Sequence, residues 1–333
     1  MRNSWFVTGS LIWALAAHGA GVCAQASQES DRAQVSSTSC ETEAAPALPG
    51  SRVHRPPAGT PARAVYDRMA YVFGNLRQTE YVHHAQSVMA EDDGIYKYDC
   101  SGFVGEFVLE PASPLHYADL LANSLRLHPP DPTDPDDPDL RPRAWGFYDY
   151  FREILAGRSE NCNALWYVFT DHQKIQPGDI LVVRYSDAWR SFMEGKSCGS
   201  QSTGHVMLAW TFPVASTVNQ DEFWIYVIDS AESGHGKDTR RSSYDDVSAS
   251  DGVGKGKMWY GYDSTRRPVA YRWASASGCA YTLTTGRSTC GYDSGDTDYC
   301  KDSDNSDLRH EYYERLEGIL LARPIASGAC PAP

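Results

Sequence analysis

Past residue 24 the chain has no uninterrupted apolar run near the roughly 18 residues that a bilayer-spanning helix needs, so no membrane span is expected there. Basic residues are also scarce. Thirty Lys and Arg face 43 Asp and Glu, for a net charge of -13, and a surface of that sign repels phosphate backbones and anionic lipid. Nucleic acid and membrane partners are therefore discounted. No CxxC pair occurs and the histidines are scattered, which removes the usual zinc spacings. The acidic runs PPDPTDPDDPD (129–139) and DSDNSD (302–307) do not complete a calcium loop, because prolines interrupt one and only the first positions of the other match. No metal and no cofactor is assigned.

What is present begins with an export signal. Arg2 precedes an apolar stretch from Trp5 to Ala17, and Val22-Cys23-Ala24 ahead of Gln25 suits cleavage after Ala24. Val22 fits lipid modification of Cys23 poorly, so residues 1–24 are read as a removed signal. Its loss takes one Arg and no acid and leaves a net charge of about -14. Residues 25–60, rich in Ser, Ala, Pro, Gln and Glu without periodicity, read as a disordered tether. Eight cysteines follow the signal, in a compartment where disulfides are permitted. Cys279, Cys290 and Cys300 sit in a Gly/Ser/Asp-rich stretch that looks like a stapled loop; if Cys100 stays reduced, seven remain and one lacks an intramolecular partner.

Two helices and four strands are legible. Pro61 opens a segment in which Val65, Met69, Val72 and Leu76 recur at helical spacing. A second helix is predicted to begin at Cys100 and stop before Pro111, with Phe103 and Phe107, and Val104 and Val108, stacked four residues apart. Asp179–Arg184, His205–Thr211, Phe223–Asp229 and Gly318–Arg323 are rich in β-branched or aromatic residues between turn formers and read as strands. Residues 111–175 and 230–315 read as long loop insertions, and 328–333 as a tail.

The chemistry-bearing stretch is YDCSGFV, residues 98–104. A thiol at a helix start meets first-turn N–H groups that lack intrahelical partners, and their partial positive charge favours thiolate over thiol. The same groups can receive a developing oxyanion. Asp99 is a good N-cap, and Gly102 allows a substrate backbone to come close. A base is then required. His205 begins one predicted strand and Asp229 ends the next; an antiparallel hairpin centred on residue 217 sets them opposite each other on one face, where Asp229 can fix the imidazole tautomer. His83, His84, His172, His235 and His310 lack this arrangement. Two glycine-rich stretches remain. GVGKGK (252–257) lacks a phosphate-loop spacing and reads as a flexible loop. GHGKDTR (234–240) offers Arg240, either as a bidentate partner for a substrate carboxylate or as a salt-bridging arginine.

In order along the chain, DCSGFV at 99–104, QPGDIL at 176–181, GHVMLAW at 204–210, VIDSA at 227–231 and ILLARP at 319–324 resemble the motifs of the NlpC-type cysteine peptidases, papain-like enzymes of bacterial cell-wall turnover. The resemblance spans roughly 61–327, but only these islands are specific. It implies an α+β, papain-like fold with N-terminal helices packed on an antiparallel sheet, interrupted here by long loop insertions. It further implies Cys100 as nucleophile, His205 as general base and later acid, and Asp229 as the orienting residue, at a position where many members carry His. A Tyr near the substrate is implied as well, either Tyr81 or Tyr98; with Asp99, Ser101 and Arg240 these are the substrate-side candidates. The expected function is that of an exported bacterial cysteine hydrolase, periplasmic or secreted, cleaving an amide bond in peptidoglycan stem peptides through a thioester. The alternatives are an acyltransferase or amidase on a non-wall substrate, or an exported binding protein that has lost activity and whose cysteines are staples.

Overall fold

A computed structural model of the chain describes residues 55–130, 141–187, 202–217, 221–232, 234–240, 251–272 and 316–330. The predicted signal, nearly all of the tether and the cluster Cys279, Cys290, Cys300 lie outside these residues.

Helix α1 (Pro61–Asn75) starts where Thr60 Oγ1 accepts the Arg63 N–H at 3.2 Å, with Pro61 in the first turn, where a missing N–H costs nothing. Its buried stripe is Ala62, Val65, Tyr66, Met69 and Val72, close to the periodicity read from sequence. Three short strands follow, β1 (Gln78–Glu80), β2 (Val88–Ala90) and β3 (Ile95–Lys97), with β3 in the middle. β3 delivers the chain to Tyr98 and the central helix.

That helix is not regular. It begins as α2 (Cys100–Gly102), widens into a π-helical stretch (Phe103–Leu109) and closes as α3 (Glu110–Ala112), so it passes through Pro111 instead of ending before it. Proline cannot donate to the carbonyl four residues back. Here that carbonyl belongs to Phe107, and Arg68 Nε of α1 donates to it at 2.8 Å. A tertiary hydrogen bond thus replaces the missing one, and the predicted stop is overridden. Phe103, Val104, Phe107 and Val108 are all buried.

The stretch read as a first loop insertion, 111–175, is largely regular structure. It holds α4 (Pro114–Leu127), α5 (Ala144–Leu155), β4 (Glu160–Cys162) and β5 (Trp166–Phe169). α5 buries Phe147, Tyr150, Phe151 and Ile154. Its Trp, Phe and Tyr content fills a core, which a loop reading does not explain.

The remaining strands are β6 (Ile180–Tyr185), β7 (Gly204–Ala209), β8 (Val214–Ala215), β9 (Glu222–Ala231), β10 (Gly252–Tyr262), β11 (Pro268–Arg272) and β12 (Leu316–Pro324). With β4 and β5 they form one sheet, antiparallel at every pairing, in the order β11-β10-β9-β7-β6-β12-β5-β4, with β8 added against β9. The fold is therefore α+β with a large antiparallel sheet. Every residue of β6 is buried because both faces are covered: Ile180 and Val182 pack with Val65, Phe103 and Leu320, whereas Leu181 and Val183 pack with Met207, Val227 and Tyr260. Each such aliphatic side chain removed from water contributes about 1.5–3 kcal/mol.

The second insertion is also partly sheet. GVGKGK is the start of β10, not a flexible loop. Its glycines at 254 and 256 alternate with Lys255 and Lys257, so they share one side of the strand, and a Cβ at Gly254 would stand 2.4 Å from Arg240 Nε. At Gly256 it would stand 2.5 Å from Asp238 Oδ2. The glycines clear that side for the segment 234–240 to lie on it.

Candidate active site

Cys100 is a free, buried cysteine at the first position of the central helix. Asp99 caps that helix, its Oδ1 accepting the Gly102 N–H at 2.8 Å. The cap is itself clamped: Arg141 Nη1 and Nη2 donate to the two Asp99 oxygens at 2.9 and 2.5 Å, and Nη1 also reaches Ser101 Oγ at 2.8 Å. Burial alone would push the Asp99 carboxyl up, but Arg141, with His83 and the Gly102 N–H, holds it well below the usual carboxylate range. Such a buried pair is sensitive to losing one partner, at about 3–5 kcal/mol. Asp99 and Ser101 are thus both engaged in holding the helix start. Arg141 comes from the region read as an insertion and carried no signal in sequence.

Gly102 is required by packing. A Cβ there would lie 2.4 Å from the Tyr98 ring, which is fully buried beneath the helix start. The Tyr98 hydroxyl donates to Glu106 Oε2 at 3.0 Å and lies 2.5 Å from His84 Nδ1. Tyr98 is thus a core residue and not a substrate contact. Tyr81 is partly exposed, and burial followed by the negative charge of Cys100 and Asp99 pushes its hydroxyl above the usual range.

His205 is the second residue of β7, after Gly204 at φ +144°, where a Cβ would strike the Val183 carbonyl at 2.0 Å. Its Nε2 bonds Asp229 Oδ2 at 2.5 Å. The helix start that carries Cys100 lies against β7, and the charge on Cys100 acts on the ring; with Nε2 turned to the carboxylate, Nδ1 is the nitrogen to serve the thiol. Burial would lower His205, but the charge on Cys100 and the bond to Asp229 outweigh it and carry it up to about 10. The expected register is off by two. β7 and β9 pair Leu208 with Ile228 and Ala209 with Val227, a register that sets Asp229 across from Met207 and not His205. Part of the connection is the strand β8, paired with Trp224 and Phe223, so the turn is not the simple loop expected. A two-residue shift preserves the face, and the imidazole reaches the carboxylate diagonally.

β9 is tied directly to the chain before the sulfur, since Ser230 Oγ donates to the Tyr98 carbonyl at 2.6 Å. Behind Asp229 stand two further groups. His235 Nε2 bonds the same Oδ2 at 2.8 Å, and Arg240 Nη2 donates to Oδ1 at 2.9 Å. Arg240 also grips both Asp238 oxygens, at 3.0 and 2.7 Å, and the Gly252 carbonyl at 2.7 Å. It is buried and engaged within the protein, which corrects its reading as a substrate-carboxylate partner. His235 has little signature in sequence, because its contact depends on how 234–240 folds back over β10. Its only sequence signal was the polar GHGKDTR stretch close behind Asp229.

His205, Asp229 and His235 are donors of the type that holds metals, and their ligand atoms lie within 4.8 Å of one another. The spacing and the charge argue otherwise. Ligands around a tetrahedral zinc at the usual bond length stand roughly 3.3 Å apart, whereas Asp229 Oδ2 is 2.5 and 2.8 Å from the two imidazole nitrogens, as in direct hydrogen bonds. The Arg240 guanidinium on the other oxygen opposes a second cation. We assign no metal here.

No family model, no curated protein and no solved structure matches this chain.

Proposed function

We infer that the protein is a cysteine hydrolase of the papain-like, NlpC type, exported from a bacterial cell and cleaving an amide bond in peptidoglycan stem peptides. The observation that carries this reading is Cys100 at the helix start, set against the strand of His205 and acting on its imidazole, whose Nε2 bonds the Asp229 carboxylate. In the first step the sulfur attacks the amide carbonyl while the Cys100 N–H at the helix start supports the oxyanion. His205 holds the thiol proton and gives it to the leaving amine, which breaks the C–N bond and leaves a thioester. Water then attacks, its proton passes to His205, and the acid and the thiol are regenerated. Asp229, held well below its usual range by His235, Arg240 and His205 against the effect of burial, remains ionised beside the imidazolium. Tyr81, whose hydroxyl responds to the charge of Cys100, is the substrate-side residue in this reading.

The choice of substrate rests on the likeness of DCSGFV, GHVMLAW and the other islands to wall-acting enzymes. Export rests on the N-terminal signal, and the Cys162–Cys330 disulfide supports an oxidising compartment. The experiment is to incubate the purified protein and a Cys100→Ala variant with cell-wall sacculi and compare released muropeptides by mass spectrometry. New fragments with the wild type alone are expected. Identical profiles would refute wall hydrolysis, and a product formed only on adding an amine acceptor would move the reading to acyl transfer.

A further inference from the structure

Aligning His205 uses one oxygen of Asp229, yet the carboxylate is fully buried and both of its oxygens have donors. Arg240 takes Oδ1, and Oδ2 is shared by His205 and His235. The two imidazoles stand 6.4 Å apart with planes at 76°, so they approach Oδ2 from different directions.

His235 is in turn held. Its side chain is fully buried, its N–H donates to Asp238 Oδ2 at 2.7 Å, and Gly236 pairs with Lys257 of β10 through two backbone hydrogen bonds. The charged and titratable groups facing it are Asp229, Asp238, Arg240 and the His205 ring. Burial lowers its proton affinity against the pull of Asp229, so it serves as a neutral N–H donor. It is too deep to touch a substrate.

We propose that His235, backed by Arg240, is a positioning residue, and that the working unit is Cys100–His205–Asp229–His235. This rests on the reading of the site given above. His235 fixes the rotation of the Asp229 carboxylate and takes up part of its charge. His205 is then aligned by the carboxylate yet remains acidic enough to protonate a leaving amine. Second-layer hydrogen bonds of this kind are worth about ten- to a hundredfold in activity at metal centres, and the same range is expected here.

The test compares wild type, His235→Ala and His235→Gln, whose amide can donate from the Nε2 position, in hydrolysis of a muropeptide and in alkylation of Cys100 by iodoacetamide across pH. Thermal melts establish that each variant is folded. His235→Ala should lower kcat about ten- to a hundredfold with KM within about twofold. Its alkaline limb of alkylation should move to higher pH, because the undivided charge of Asp229 then holds the proton on His205 more firmly. His235→Gln should recover most of both. If His235→Ala does not fold, Arg240→Lys, which keeps the charge but breaks the fork, takes its place with the same expectations. A wild-type Cys100 that reacts no faster than a free thiol would refute the reading of the site itself. A reactive wild type with unchanged kcat and alkylation profile in the folded variant would overturn the role of His235 and leave the hydrolase standing.

Discussion

At the residue scale, the sulfur and the imidazole are coupled, and the coupling has a measurable sign. His205 is carried up to about 10 in part by the charge on Cys100. Cys100→Ala removes that contribution, so the His205 ring, followed by NMR, should titrate at lower pH than in the wild type. The linkage runs in the corresponding direction. A histidine raised on folding contributes stability that is fully present below its unfolded value of about 6.5 and is lost as pH rises towards its folded value. A His205 ring that titrates alike in both proteins would show that the sulfur does not act on it. Cys100, His205 and Asp229 were legible because each stands at the end of an element whose pattern is strong. His235 and Arg141 were not, because their contacts are made by segments that fold back from elsewhere: Arg141 lies 42 residues from Asp99.

Among the elements, β10 shows how glycine misleads. Gly252, Gly254 and Gly256 in close succession suggest a loop, yet their spacing of two is that of one strand face. That face is bare so that Arg240 and Asp238 can lie against it. Gly254→Ala drives a methyl into the Arg240 side chain, 2.4 Å from Nε and 2.5 Å from Cγ. A drop of about tenfold in kcat is expected, through displacement of the support behind Asp229. Gly74→Ala on α1, where a Cβ meets nothing within 4 Å, serves as the control and should gain roughly 0.5–1 kcal/mol from helix propensity. Equal activity in both variants would mean that the loop adapts and the glycine face is incidental. The central helix makes the complementary point. Pro111 reads as a terminus, yet the helix runs just past it, with Arg68 of another helix donating to the Phe107 carbonyl.

For the whole molecule, the described disulfide joins Cys162 on β4 to Cys330 after β12, a sequence separation of 168. On the chain-entropy model a loop of that length restricts the unfolded chain by about 5 kcal/mol. In the sheet order, β4 is at one end, with β5, β12 and β6 between it and the strand that carries His205. Reduction should lower the Tm while leaving kcat at 25 °C unchanged, checked by calorimetry and hydrolysis with and without reductant; a parallel loss of both would place the bridge in the service of the site. The four strands around the site could be read from their apolar runs. The order that sets β12 between β6 and β5 could not, because long-range pairing leaves no mark in local pattern.

One contact joins these scales. Ser230 follows the carboxylate residue on its strand, and its hydroxyl grips the backbone two positions ahead of the sulfur. Acid and thiol therefore ride on a single mechanical piece. Loss of that one contact would let thiol and acid drift apart while the sheet stayed whole.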